Sequence, residues 1–222
     1  MEDILKQIAL CVEKGKIARE FPHPAELAGQ DGVYELTQRA LESGIAPQEI
    51  LSQGLIAGMN KVGELFQAGD VFLPDVLVSA RALSMGMMHL KPYFHSGAVK
   101  HKGKVVIGTV QGDLHDIGKH VVSLFFEGGG WNVIDIGVNV TAQKFLEAVA
   151  EHQPQAIGLS ALLTTTMVNM EPITRMIKTT HPGVKVVIGG APVTQSFADR
   201  IGADCYSPDP QGALEFLNKH CS

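Results

Sequence analysis

Residues 104–120 read KVVIGTVQGDLHDIGKH. A run of apolar, β-branched residues from Val105 to Val110 breaks into a glycine-bearing acidic loop, then resumes at helical spacing from Ile117. A strand that passes through a short loop into a helix is the first half of a βαβ unit. Working outward, four more short apolar runs follow: Trp131 to Gly137, Ala156 to Ser160, Lys185 to Ile188, and a weak one at Asp204 to Tyr206. Between them lie helical patterns at Ile117 to Glu127, closed by Gly128, Gly129 and Gly130, at Ala142 to His152 with Thr141 as N-cap, and at Met167 to Thr180, Thr194 to Ile201 and Gln211 to His220. Strands that are apolar on both faces belong to a parallel sheet covered on both sides. Five such units over residues 104–222 predict an α/β, flavodoxin-like, doubly wound five-stranded parallel sheet with strand order 2-1-3-4-5.

Upstream the pattern changes. Residues 1–95 carry apolar positions every three or four residues, broken by Gly and Pro where helices end. One helix holds Val33, Leu36, Ala40 and Leu41 and stops at Ser43-Gly44. Another opens at Pro47 and ends at Gly69, and a fourth starts near Pro74 and runs to Pro92. This is a small four-helix bundle. Between the two halves, residues 96–103 are polar and Gly-containing without periodicity, as a linker is. The expected domains are therefore 1–95, a linker at 96–103, and 104–222.

Composition narrows the function classes. With 45% hydrophobic and 18% charged residues among 222, the chain has ample apolar material for two packed cores and is too apolar to be disordered. A net charge of -5 with no block of Lys or Arg argues against a nucleic-acid partner. The longest apolar runs fall far short of the roughly 20 residues a membrane helix needs. The start, MEDILKQIALCVEKGK, has early acids and a helical stripe in place of a basic, then apolar, leader. Cys11, Cys205 and Cys221 are scattered and form no CxxC pair, which argues against a disulfide framework or thiolate metal site and suits a reducing cytoplasm.

In doubly wound sheets ligands bind beyond the carboxyl ends of the strands. Four segments of this chain map to that edge: GDLHDIGKH after the first strand, Ser160 and Thr164-Thr165-Thr166 after the third, Gly189-Gly190 after the fourth, and Ser207-Pro208-Asp209 after the fifth. Asp113 and His115 lie two apart in the first. A neutral imidazole ligates a transition metal through one nitrogen while the other donates to a carboxylate, which sets its tautomer and raises its basicity. The same spacing also suits Asp113 and Asp116 as helix caps with His115 a plain loop residue. One protein ligand does not make a closed zinc site, which takes four; His120 faces elsewhere and His95 and His101 sit at the linker. A lone histidine ligand makes sense where a macrocycle supplies the others, which points to a tetrapyrrole-like cofactor. Gly189-Gly190 would let a flat ligand approach the backbone, although alone they read as a turn. Ser160, Thr164 and Thr166 offer hydroxyls that alone would serve equally as caps.

Taken together, GDLHDIG, SALLTTT and IGGAPVT resemble, in order and spacing, the DxHxxG, SxL and GG signatures of cobalamin-binding domains. MNKVGELFQAGDVFLPDVLVSARAL resembles the helical cap module that precedes the corrinoid domain in methionine synthase and in the small corrinoid proteins of methyl-transfer systems. The resemblance covers nearly the whole chain. It implies cobalamin or a related corrinoid as cofactor, with cobalt held from below by His115, and a methyl group carried as methylcobalamin. It implies a catalytic relay of His115, Asp113 and Thr166, the last standing where methionine synthase has a serine. It implies a cofactor-binding set of Gly112, Asp113, Leu114, His115, Asp116, Ile117, Gly118, Ser160, Leu162, Thr164, Thr166, Gly189, Gly190, Ala191 and Ser207, with the nucleotide tail threaded along the Ser/Thr and Gly-Gly segments. Phe72, Leu83 and Met87 are the implied cap contacts to the upper cobalt face.

By the same resemblance the chain is a methyl carrier that needs partner enzymes for turnover. A substrate-specific methyltransferase loads it, a second methyltransferase passes the methyl to folate or coenzyme M, and a reductive activating protein restores cobalt(I). The linker is the expected hinge. Two rivals stand beside this reading. One is a corrinoid-binding sensory module, which would normally attach an output segment. The other is a flavodoxin or receiver domain without cobalt, and for a receiver the Lys expected after the fifth strand is missing from Tyr206-Ser207-Pro208-Asp209.

Overall fold

Valine and isoleucine crowd the strands because their branched side chains fit a pleated surface buried on both faces. The computed structural model describes residues 2–95 and 98–221. Ser96 and Gly97, which open the expected linker, lie outside the described residues, as do Met1 and Ser222. The chain divides into two compact units, Met1–His101 with Gly128–Gly130, and Lys102–Glu127 with Trp131–Ser222.

The first unit is helical: α1 (Glu2–Glu13), α2 (Val33–Glu42), α3 (residues 47–68) and α4 (Leu73–His95). Pro47 opens α3, where its fixed φ and missing N–H cost nothing. Gly69 closes α3 in the left-handed conformation. Ile8, Leu36, Leu55, Met59, Val62 and Leu90 are buried. A Cβ on Gly58 would come within 2.5 Å of the Ala9 carbonyl oxygen, so only glycine lets α3 approach α1 this closely. Two details depart from the sequence expectation. Residues Ile50–Ile56 of α3 are π-helical, and α4 continues through Pro92 to His95. So near a helix end, the proline removes only one hydrogen bond. Beyond the undescribed pair, Val99 is buried and its N–H donates to the Tyr93 carbonyl at 3.1 Å.

The second unit is the expected five-stranded sheet, all parallel, in the order β2-β1-β3-β4-β5. The strands are β1 (Lys104–Thr109), β2 (Asn132–Asp135), β3 (Ala156–Ser160), β4 (Lys185–Gly189) and β5 (Cys205–Tyr206). Their helices are α5 (Ile117–Gly128), α6 (Ala142–His152), α7 (Thr164–Met167), α8 (Met170–Thr180), α9 (Gln195–Ile201) and α10 (Pro210–His220). Alternation along each strand builds two cores. Val106, Ile157, Val186 and Ile188 pack with Phe145, Ile173 and Phe197 on one face. Val105, Ala156 and Val187 pack with Phe126, Trp131 and Leu214 on the other. The register sets Thr109 beside Ser160 and Ser160 beside Gly189, so three strands end level with one another.

Two elements differ from the expectation. β2 is shorter than Trp131 to Gly137, because Trp131 closes α5 through a bond from its N–H to the Phe126 carbonyl (2.9 Å) and Gly137 turns the chain at φ +93. The helix expected over Met167 to Thr180 is two helices. They part at Val168 and Asn169, where the Asn169 amide donates to the Gln111 carbonyl at 2.8 Å instead of facing solvent.

Candidate functional site

The loop after β1 holds the chemistry, and its shape is set by hydrogen bonds to its backbone. The Thr109 hydroxyl, at the buried end of β1, donates to the His115 carbonyl at 2.9 Å. The Asp113 N–H donates to the Val110 carbonyl at 3.1 Å. Gly112 turns at φ +83, a conformation that favours glycine. This geometry sends the Asp113 carboxylate under the loop, where it is fully buried.

Every donor a buried carboxylate requires is present. Oδ1 accepts the His115 backbone N–H at 3.0 Å and faces the imidazole Nδ1 at 2.7 Å. Oδ2 accepts the Thr166 hydroxyl at 2.7 Å and the Leu162 N–H at 2.8 Å. Burial by itself would raise the Asp113 pKa, but the bonds from Thr166, Leu162 and His115 outweigh it and hold the carboxyl well below the usual carboxylate range. An ionised Asp113 has no proton to give, so the proton in the 2.7 Å contact belongs to His115 Nδ1. In the neutral imidazole the lone pair is then on Nε2, and the His115 side chain is 52% exposed.

Around it lies an apolar rim. Leu114 (71% exposed) and Ile117 (73%) flank the histidine on its own loop, and Leu162, Leu163 and Val168 are exposed after β3. Among the described residues, these five are all the large apolar side chains that the sheet unit exposes. Such a patch marks a surface that something apolar covers. Asp116 lies half-buried beside the histidine, and a Cβ on Gly118 would meet open space.

The rest of the expected set lies further along the same edge. Ser160 and Gly189 end their strands side by side. Gly190 sits at φ +126, and a Cβ there would lie 1.9 Å from the Ala161 carbonyl oxygen, so the chain itself demands glycine. Gly189 is different: a Cβ would meet only the Ser207 carbonyl oxygen, at 3.8 Å. The fold leaves that space open. Thr164 and Ala191 are exposed. The Ser207 hydroxyl donates to the Asp209 carbonyl at 2.7 Å, bracing the turn into α10. The structure thus joins Asp113, His115 and Thr166 in one hydrogen-bonded chain, and sets Gly189, Gly190, Ala191 and Ser207 outside that chain.

Sequence reasoning missed Thr109, Leu163 and Val168. Two adjacent leucines in a polar loop after a strand were the available signal for the rim; a threonine at a strand end carries none. In the helical unit, Phe72 is exposed, Met87 half-buried and Leu83 buried. Among the described residues no helix is long and apolar enough to cross a membrane.

Comparison with known proteins adds the chain's relatives. Residues 103–214 match the family model described as B12 binding domain, and residues 29–91 match a second model of the same description. Trimethylamine corrinoid protein 1 of Methanosarcina acetivorans is 45% identical over 189 residues, 83% of this chain and 86% of that protein. Dimethylamine corrinoid protein 3 of the same organism is 42% identical over 187 residues, 83% of this chain and 87% of that protein. Among solved structures, the methanol:cobalamin methyltransferase complex of Methanosarcina barkeri matches with a TM-score of 0.81 at 30% identity, over 98% of this chain and 79% of that chain.

Proposed function

We propose that this chain, which belongs to the B12-binding family of corrinoid proteins, carries methyl groups on a corrinoid between two methyltransferases. The observation that carries the reading is the bond from His115 Nδ1 to the buried Asp113 carboxylate, which leaves Nε2 free on a half-exposed side chain among exposed apolar residues. The residues fit a corrin in three respects. One neutral nitrogen is presented, as a macrocycle's fifth ligand should be. The rim suits a flat apolar face. The open space at Gly189 admits a ligand beside the backbone. When bound, the corrinoid supplies the cobalt to which the methyl group is attached.

The chain's own residues do the rest. His115 Nε2 would ligate the cobalt. Asp113 fixes the tautomer, and the Thr166 hydroxyl, donating to Oδ2, holds the Asp113 carboxylate in place. Gly112, Leu114, Asp116, Ile117, Gly118 and Leu162 seat the ring and exclude water from the nitrogen. Ser160, Thr164, Gly189, Gly190, Ala191 and Ser207 border the nucleotide tail. Residues 104–222 form the corrinoid domain and 1–95 the helical domain, joined by 96–103. The amine corrinoid proteins among its relatives favour a methylated amine as donor, presented by its own methyltransferase. The other partners in this reading are a second methyltransferase specific for folate or coenzyme M and a reductive activating protein. Three unpaired cysteines suit the reducing cytoplasm.

The test is reconstitution with hydroxocobalamin, gel filtration and visible spectroscopy, alongside His115→Ala. Wild type should retain the corrin with a histidine nitrogen below cobalt, and the variant should lose that nitrogen entirely. A wild type that retains no corrin would end the carrier reading.

A further inference from the structure

The loop that presents His115 is clipped from a distant part of the chain. Asn139, in the turn after β2, makes two bonds to it at once. Its side-chain Oδ1 accepts the Gly112 N–H at 2.8 Å, and its own N–H donates to the Asp113 carbonyl at 3.0 Å. To do so it adopts φ +54, a left-handed conformation that asparagine tolerates better than most residues. The turn is itself anchored. The Gly137 carbonyl accepts the Thr109 N–H at 3.0 Å and the ammonium of the buried Lys119 at 3.1 Å, and Lys119 also pairs with Asp135.

The peptide groups that bracket the Gly112-Asp113 pair, one before Gly112 and one after Asp113, are therefore held by one residue, Asn139. Rotation about those peptides is what would swing the carboxylate and, through the 2.7 Å bond, the imidazole. We propose that Asn139 is a positioning residue that sets the orientation of His115 by clamping the backbone at Gly112 and Asp113. Its bonds are to the backbone of the loop alone. The proposal rests on the corrinoid reading above, since it concerns how the histidine meets that group.

Two variants separate positioning from simple structure. Asn139→Gly keeps the positive φ and the backbone N–H but removes the side-chain acceptor. Asn139→Asp keeps an acceptor at the same place. Each is reconstituted with hydroxocobalamin and reduced by one electron, and the nitrogen splitting in the paramagnetic resonance spectrum is read as the share of cobalt bound to histidine. Melting of the cofactor-free proteins is measured in parallel. The expected result is a roughly fivefold fall in the ratio of histidine-bound to unbound cobalt for Asn139→Gly, the size of one hydrogen bond. Corrin retention and melting temperature should stay near wild type, and Asn139→Asp should restore the ratio.

An unchanged ratio in Asn139→Gly, with normal splitting in wild type, overturns the proposal and leaves the carrier reading intact. A collapse of melting temperature in Asn139→Gly also overturns it, because the residue is then structural. Absence of bound corrin or nitrogen splitting in wild type is the separate failure of the carrier reading, and the proposal falls with it.

Discussion

Asp113 and Asp31 are two well-bonded aspartates, one in each unit, and they are built on opposite principles. Asp31 in the helical unit is met by two cations, Arg19 and Arg39, each at 2.5 Å and each more than half exposed. Its carboxyl is lowered first by the Arg19 hydrogen bond. Its partners lie 12 and 8 residues away in the chain. Asp113 has no cation among its bonded partners save an imidazole that is neutral when it ligates; a hydroxyl and N–H groups do the work, some from about 50 residues away. Charge pairs at a surface are cheap to form and easily screened. Neutral donors around a buried carboxylate are unaffected by salt, direct each oxygen to one partner, and leave the histidine's other nitrogen unencumbered. The first arrangement ties down a chain; the second aims a side chain.

That contrast can be broken experimentally. The largest effect should follow Asp113→Ala, which takes the acceptor from the Leu162 and His115 N–H groups and leaves the Thr166 hydroxyl only the Leu163 carbonyl. A loss on the order of 3 kcal/mol is expected in urea unfolding of the cofactor-free protein. Reconstituted variant should also show a heterogeneous histidine ligation, since nothing orients the ring. Next comes Thr166→Val, which keeps shape but removes one donor; it should cost about 1 kcal/mol in the same unfolding experiment, with Thr166→Ser close to wild type. The smallest effect should follow Asp31→Asn. It should be measurable in dilute buffer and shrink toward zero at about 1 M salt, where screening is effective within a few ångströms, whereas the Asp113 effect should persist there. An Asp31 effect that survived salt would erase the distinction drawn here.

Much of this architecture was legible in the sequence because it is written in local pattern. The apolar runs of β1, β3 and β4 and the glycine and proline punctuation of the helical unit are short-range signals, and the order 2-1-3-4-5 is that of the flavodoxin type which five such units suit. Asp113 and His115 were legible as a spaced pair, and Thr166 through resemblance. What escaped is what depends on distant partners. Asn139 looks like an ordinary turn residue until its bonds to Gly112 and Asp113 are seen. Thr109 looks like the end of a strand. The break between α7 and α8 was invisible because it arises from Thr166 and Asn169 turning toward the β1 loop, an interaction that overrides helical periodicity. Local pattern failed where residues serve the site instead of their own helix, as expected of functional positions.

The apolar rim has a consequence for the life of the polypeptide before it meets its cofactor. Leu114, Ile117, Leu162, Leu163 and Val168 together give the newly folded chain an adhesive face at one end of its sheet. Left bare, such a face invites self-association, so under the proposed corrinoid seat the supply of cofactor would govern how much of the protein stays dispersed.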